Sequence, residues 1–128
     1  MSSNEPLRLE KYGITANRYR ELHYFCLRWR EYKQGSWQAE MIRRALSDII
    51  EENYRGVRKF DLFFCLLESV TRKGYNYDYA YMRKNIPCSK GEYQKLRRLF
   101  FVELDKRRDE EIEKAVKNEG VCKRILQF

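Results

Sequence analysis

The chain has 128 residues, with 27 Lys and Arg against 19 Asp and Glu, a formal charge of +8 and a sequence pI near 9.4. Hydrophobic residues make up 43 %, aromatics 15 % and there are two prolines, which excludes a disordered, collagen-like or proline-rich linker protein and supplies a core for one domain over residues 1–128. No run of 18 apolar residues occurs and MSSNEPLRLEKYGIT has no apolar leader, so neither a membrane span nor a secretory signal is expected, and the chain is placed in the cytoplasm.

Thr15 is the expected N-cap of a helix over ANRYRELHYFCLRWREYK, where Tyr19, Leu22, Cys26 and Trp29 recur at helical spacing and Gly35 marks the stop. Ser36 caps a second helix with an apolar stripe of Ala39, Ile42, Leu46, Ile49 and Ile50, giving an αα-hairpin over 15–54. Asn53 to Gly56 closes it. KFDLFFCLLESVTRK then predicts a third helix, with Phe60, Phe63, Leu67 and Val70 facing the core and Gly74 ending it. Asn76 can cap a short helix over YDYAYMRK, which must stop before Pro87 because proline lacks the donor and pushes its predecessor out of the helical region; Asn85 suits the left-handed position there.

Ser89 followed by Glu92 is a capping box that opens KGEYQKLRRLFFVELDKRR, with Tyr93, Leu96, Phe100 and Leu104 facing inward. Helix, tight turn and capped basic helix have the layout of a helix-turn-helix over 57–108. The expected fold is therefore all-α: five or six helices, with an N-terminal αα-hairpin, a C-terminal helix-turn-helix whose second helix is long and basic, and an extension over 109–128. In that extension DEEIEKAVKNEG either continues the basic helix or lays a thin seam of Ile112, Ala115 and Val116 on a second copy of the chain. VCKRILQF either docks on the core or offers an apolar end to a partner.

The charge is not spread evenly. Residues 1–54 hold 9 basic and 8 acidic side chains, residues 55–108 hold 14 and 6, and residues 109–128 hold 4 and 5. A surplus confined to one block is the footprint expected for a polyanion, and double-stranded DNA is the first partner it implies. With Tyr93, Leu96 and Phe100 inward, Lys90, Gln94, Lys95 and Arg98 fall on the outward side of the reading helix and Arg97 on its flank. Arg and Lys suit phosphate or guanine, Gln suits adenine, and the helix start at Ser89 offers free N–H groups to a phosphate. The DNA-binding set is thus Lys84, Ser89, Lys90, Gln94, Lys95, Arg97 and Arg98, with Lys84 a sequence-independent phosphate contact.

Catalysis has little to stand on. The single histidine, His23, sits between Tyr19 and Leu27 as a packing residue, and Asp61, Glu68, Asp78 and Glu92 lie on different helices without a paired spacing. Cys26, Cys65, Cys88 and Cys122 form no CxxC pair and read as scattered buried thiols. No enzyme activity, cofactor or metal is expected, a metal-dependent nuclease being the remaining enzymatic alternative.

Two stretches, YGITANRYRELHYFCLRWREYK and YNYDYAYMRKNIPCSKGEYQKLRRLFFVELDKRR, resemble a group of small proteins of Firmicutes phages and prophages. That group has an RELKYFCLQY-like helix, here Arg20 to Leu27, and an IPC turn before an arginine-rich aromatic helix, here Asn85 to Asp105. The C-terminal half is similar to region 4 of sigma factors and to phage late-gene regulators of the autolysin-regulator type, which implies a DNA-binding transcription regulator in a bacterial host. The short Gln34 to Trp37 link and the tail after Arg108 depart from the group's pattern. The alternative function is a phage-encoded inhibitor or adaptor that binds a host RNA polymerase or a CRISPR-type defence nuclease through the basic helical face or the apolar end.

Overall fold

A computed structural model describes residues 9–73 and 86–119, with side chains as far as Lys114. Every regular element described is helical: α1 (Ala16–Leu27), α2 (Trp37–Asn53), α3 (Lys59–Thr71) and α4 (Lys90–Glu119), with one-turn 3-10 helices at Glu10–Tyr12 and Trp29–Glu31. The all-α class holds. The short helix expected over YDYAYMRK, Lys84, Asn85 and the VCKRILQF end with Cys122 lie outside the described residues.

The helix starts follow from local chemistry. The Thr15 hydroxyl accepts from Arg18 N at 3.1 Å, Ser36 from Ala39 N at 3.3 Å and Ser89 from Glu92 N at 3.1 Å, each satisfying a first-turn amide at a gain of about 1 kcal/mol. The end of α1 is earlier than its apolar spacing predicts. The helix stops at Leu27 rather than near Gly35, tightening into the 3-10 turn, after which Tyr32 is extended and its hydroxyl donates to the Phe25 carbonyl at 2.6 Å. That bond satisfies a carbonyl near the end of α1 and turns the chain, and Gly35, at φ +85, delivers it to the Ser36 cap.

The core lies between α2 and α4, with α1 and α3 packed beside them. Leu22 and Cys26 of α1, Ile42 and Leu46 of α2, Leu62 and Leu66 of α3, and Tyr93, Leu96, Phe100, Phe101 and Leu104 of α4 are all sealed from solvent. Each large apolar side chain so buried contributes about 1.5–3 kcal/mol. The inward face of α3 differs from the expected one. Leu62, Cys65, Leu66, Ser69 and Val70 are buried, whereas Phe63 and Leu67 are half-buried and Phe60 is 81 % exposed. KFDLFFCLLESV is apolar on almost every side, so two stripes compete. The narrower one, containing Cys65 and Ser69, lets α3 approach its neighbours closely.

Two tethers orient α4. At its start, Tyr54 at the end of α2 is buried and its hydroxyl donates to the Pro87 carbonyl at 3.2 Å. Further along, Arg18 of α1 pairs with Asp105 at 2.5 Å and Asp109 at 2.9 Å, Arg107 pairs with Asp48 of α2, and Arg108 lies 4.8 Å from the Phe25 ring centre. At 30 residues, α4 is about 45 Å long and outruns the core, so residues 109–114 are exposed. DEEIEKAVKNE therefore continues the basic helix. Among the described residues no helix is long and apolar enough to cross a membrane.

Candidate nucleic-acid interface

Ser89 starts α4 at a position already set by the Tyr54–Pro87 bond and by buried Ile86. Tyr93, Leu96, Phe100 and Leu104 then point inward, as their spacing predicts. On the other side Lys95 is exposed, and Lys90, Gln94 and Arg98, at i, i+4 and i+8, form a half-exposed row beside it. Lys90 to Val102 carries four cations against Glu92 alone, while Glu103 to Glu119 carries seven acids against five cations. The positive end of the helix dipole adds to the first of these.

The acids of the molecule are distributed to match. Arg18, Arg28, Arg43, Arg44, Arg58, Arg72 and Arg107 all make ion pairs. Among the described residues Lys95 and Arg98 make none, so these two keep their charge available to a partner.

Arg97 departs from the expected arrangement. It is 9 % exposed and turned toward α1, not on the flank of the outward face. The signal was present: Tyr93, Arg97 and Phe101 are four residues apart, and Phe101 is fully buried, so position 97 lies on the inward side. Of the expected contact residues the structure thus gathers Ser89, Lys90, Gln94, Lys95 and Arg98 on one surface and withdraws Arg97 from it.

His23 stacks on Tyr19 with ring centres 5.7 Å apart and meets Phe101 edge-on at 6.0 Å. Burial first, and the Arg97 charge second, hold its pKa below the ordinary value of 6.5. Burial pushes the Cys26 thiol far up and the Cys88 thiol up to about 12, so neither is a thiolate nucleophile at neutral pH. Burial likewise raises the Tyr93 phenol to about 12. Among the described residues no three His, Cys, Asp or Glu side chains converge on a point that could hold a metal ion.

A second surface was not foreseen. Phe60 and Phe64, the latter 51 % exposed, leave an aromatic face on α3, and Val57, 98 % exposed, precedes that helix. Beside it a groove of about 420 Å³ runs between α2 and α3, lined by Ile50, Phe60, Phe63 and Phe64 together with Arg43 and Lys59. No family model, curated protein or solved structure matches the chain.

Proposed function

We propose that the chain is a DNA-binding regulator that sets the first half of α4 against duplex DNA. The observation that carries this reading is the outward face of exposed Lys95 and half-exposed Arg98, cations without ion-pair partners among the described residues on the basic half of a capped helix. Lys90 and Gln94 extend that face, and the amides at Ser89 meet a phosphate. The resemblance of the C-terminal half to region 4 of sigma factors and to phage late-gene regulators supports the regulator class.

The test is duplex binding by wild type and by Lys95→Ala/Arg98→Ala at two or more salt concentrations. If Arg98 reads a base edge, its loss costs about 1–3 kcal/mol and relaxes selection at one position. The double variant should also flatten the salt dependence by about two phosphate contacts. Unchanged duplex affinity in the double variant rejects the reading.

A second reading rests on α3. Exposed phenylalanines beside a groove fit an inhibitor or adaptor that accepts an apolar helix of a host protein. A stoichiometric, nearly salt-independent host-protein complex abolished by Phe60→Ser/Phe64→Ser, with no duplex affinity in wild type, would establish it instead.

A further inference from the structure

We propose that Arg97, Tyr19 and His23 form a recessed phosphate-binding pocket between α1 and α4. Arg97 is nine-tenths buried, and its Nε is sealed from solvent without a hydrogen-bond partner among the described residues. Its guanidinium contacts only neutral partners among them, Gln94 Oε1 at a long 3.5 Å from Nη1 and the Tyr19 side chain. No described carboxylate comes within ion-pair distance. A buried guanidinium without a counter-charge is unfavourable, and an oxyanion would relieve it.

The walls are preformed. Tyr19 and His23 stack one helical turn apart, and both rings stand edge-on to fully buried Phe101, at 5.0 and 6.0 Å with interplanar angles of 82°. The Arg97 charge acts on both residues. Both are half-buried, as is Gln94, so the pocket meets solvent beside the basic row of α4. A phenolic O–H, an imidazole N–H and a planar guanidinium fork are donors suited to phosphate oxygens. The net positive first half of α4 concentrates multivalent anions there, which favours phosphate over a single carboxylate. Free phosphate and a DNA backbone phosphate share this chemistry; only the DNA source rests on the function proposed above.

His23 is the only histidine, so its ring signals in NMR report this site alone. Inorganic phosphate should be titrated at constant ionic strength into wild type and Arg97→Met. A saturable His23 shift and a rise in Tm of roughly 5 °C are expected in wild type and absent in Arg97→Met, which removes the general stabilising effect of phosphate from the comparison. An unmoved His23 signal, an equal response in Arg97→Met, or an equal response of wild type to acetate overturns the proposal. If Arg97→Met does not fold, Arg97→Lys, which keeps the charge and loses the fork, should weaken phosphate at least about tenfold, and equal affinity overturns the pocket. A short duplex that shifts His23 as phosphate does identifies the DNA backbone as the source. A duplex that leaves His23 unmoved while phosphate shifts it identifies a free phosphate. Phosphate binding without any duplex affinity would retain the pocket and reject the DNA reading.

Discussion

Gly56→Ala offers the sharpest test of how α2 positions the start of α4. A Cβ at this position would lie 2.2 Å from Tyr54 Oη, 2.4 Å from Cζ and 2.9 Å from Cε2. Backbone conformation is not the obstacle, because the positive φ angles among the described glycines are those of Gly13 and Gly35. The conflict is with a ring that is itself buried, and moving it releases the hydroxyl from Pro87. Losing that hydrogen bond costs about 1 kcal/mol and forcing the ring aside about 1–3 kcal/mol, offset by about 0.4–1 kcal/mol from the stiffer unfolded chain. The net loss should be about 1–3.5 kcal/mol. Tyr54→Phe, which removes the hydroxyl alone, should cost about 1 kcal/mol, and Tyr54→Ala about 3–5 kcal/mol. In the Tyr54→Ala background the three closest contacts of the alanine at 56 are gone, so its cost should vanish and become a gain of up to about 1 kcal/mol. Urea unfolding of the four proteins closes the double-mutant cycle. Equal costs of Gly56→Ala in both backgrounds would refute the steric argument.

Two other outcomes follow from burial. Phe60→Ser should change stability by less than about 0.5 kcal/mol and Leu66→Ala should lower it by about 2–5 kcal/mol, measured by urea unfolding; the reverse order would mean that α3 packs through the stripe its sequence predicts. His23, with its folded pKa held below 6.5, favours the folded state fully above pH 6.5 and loses that contribution as pH falls through its folded value. Stability in phosphate-free buffer should therefore drop on going from pH 7.5 to 5 more steeply for wild type than for His23→Gln, and parallel curves would contradict the burial of the neutral ring.

The caps, the all-helical class and the inward stripe of α4 were legible because each depends on residues within one or two turns: Ser89 and Glu92 are three apart, and Tyr93, Leu96, Phe100 and Leu104 mark a face unaided. The orientation of α3 was not, because periodicity carries little information in a segment apolar on nearly every side; the choice between Phe60 and Leu62 is made by how closely α1 and α2 can approach. The early end of α1 was hidden for a related reason. Trp29 is in register with Cys26, but the Tyr32 hydroxyl reaching back to Phe25 diverts the chain, and such a bond becomes visible only once the turn exists.

The adjacent arginines of α4 show why composition identifies a basic helix without dividing its work. Successive residues point about 100° apart on a helix, so Arg97 and Arg98 cannot share a face when Tyr93 and Phe101 are both buried. Arg98 keeps the outward direction and the field of the basic half. Arg97 takes the inward one, at the cost of desolvating a guanidinium that no described carboxylate pairs with. Two acids of the second half of α4, Asp105 and Asp109, thus hold α1, and the first half is left with positive charge both on its surface and beneath it. An incoming phosphate would meet the two in sequence, first Lys95 and Arg98 on the surface, then the recessed Arg97. Substitutions at 95 and 98 should accordingly change association with DNA and its salt dependence, while those at 97 should change how long a bound phosphate stays.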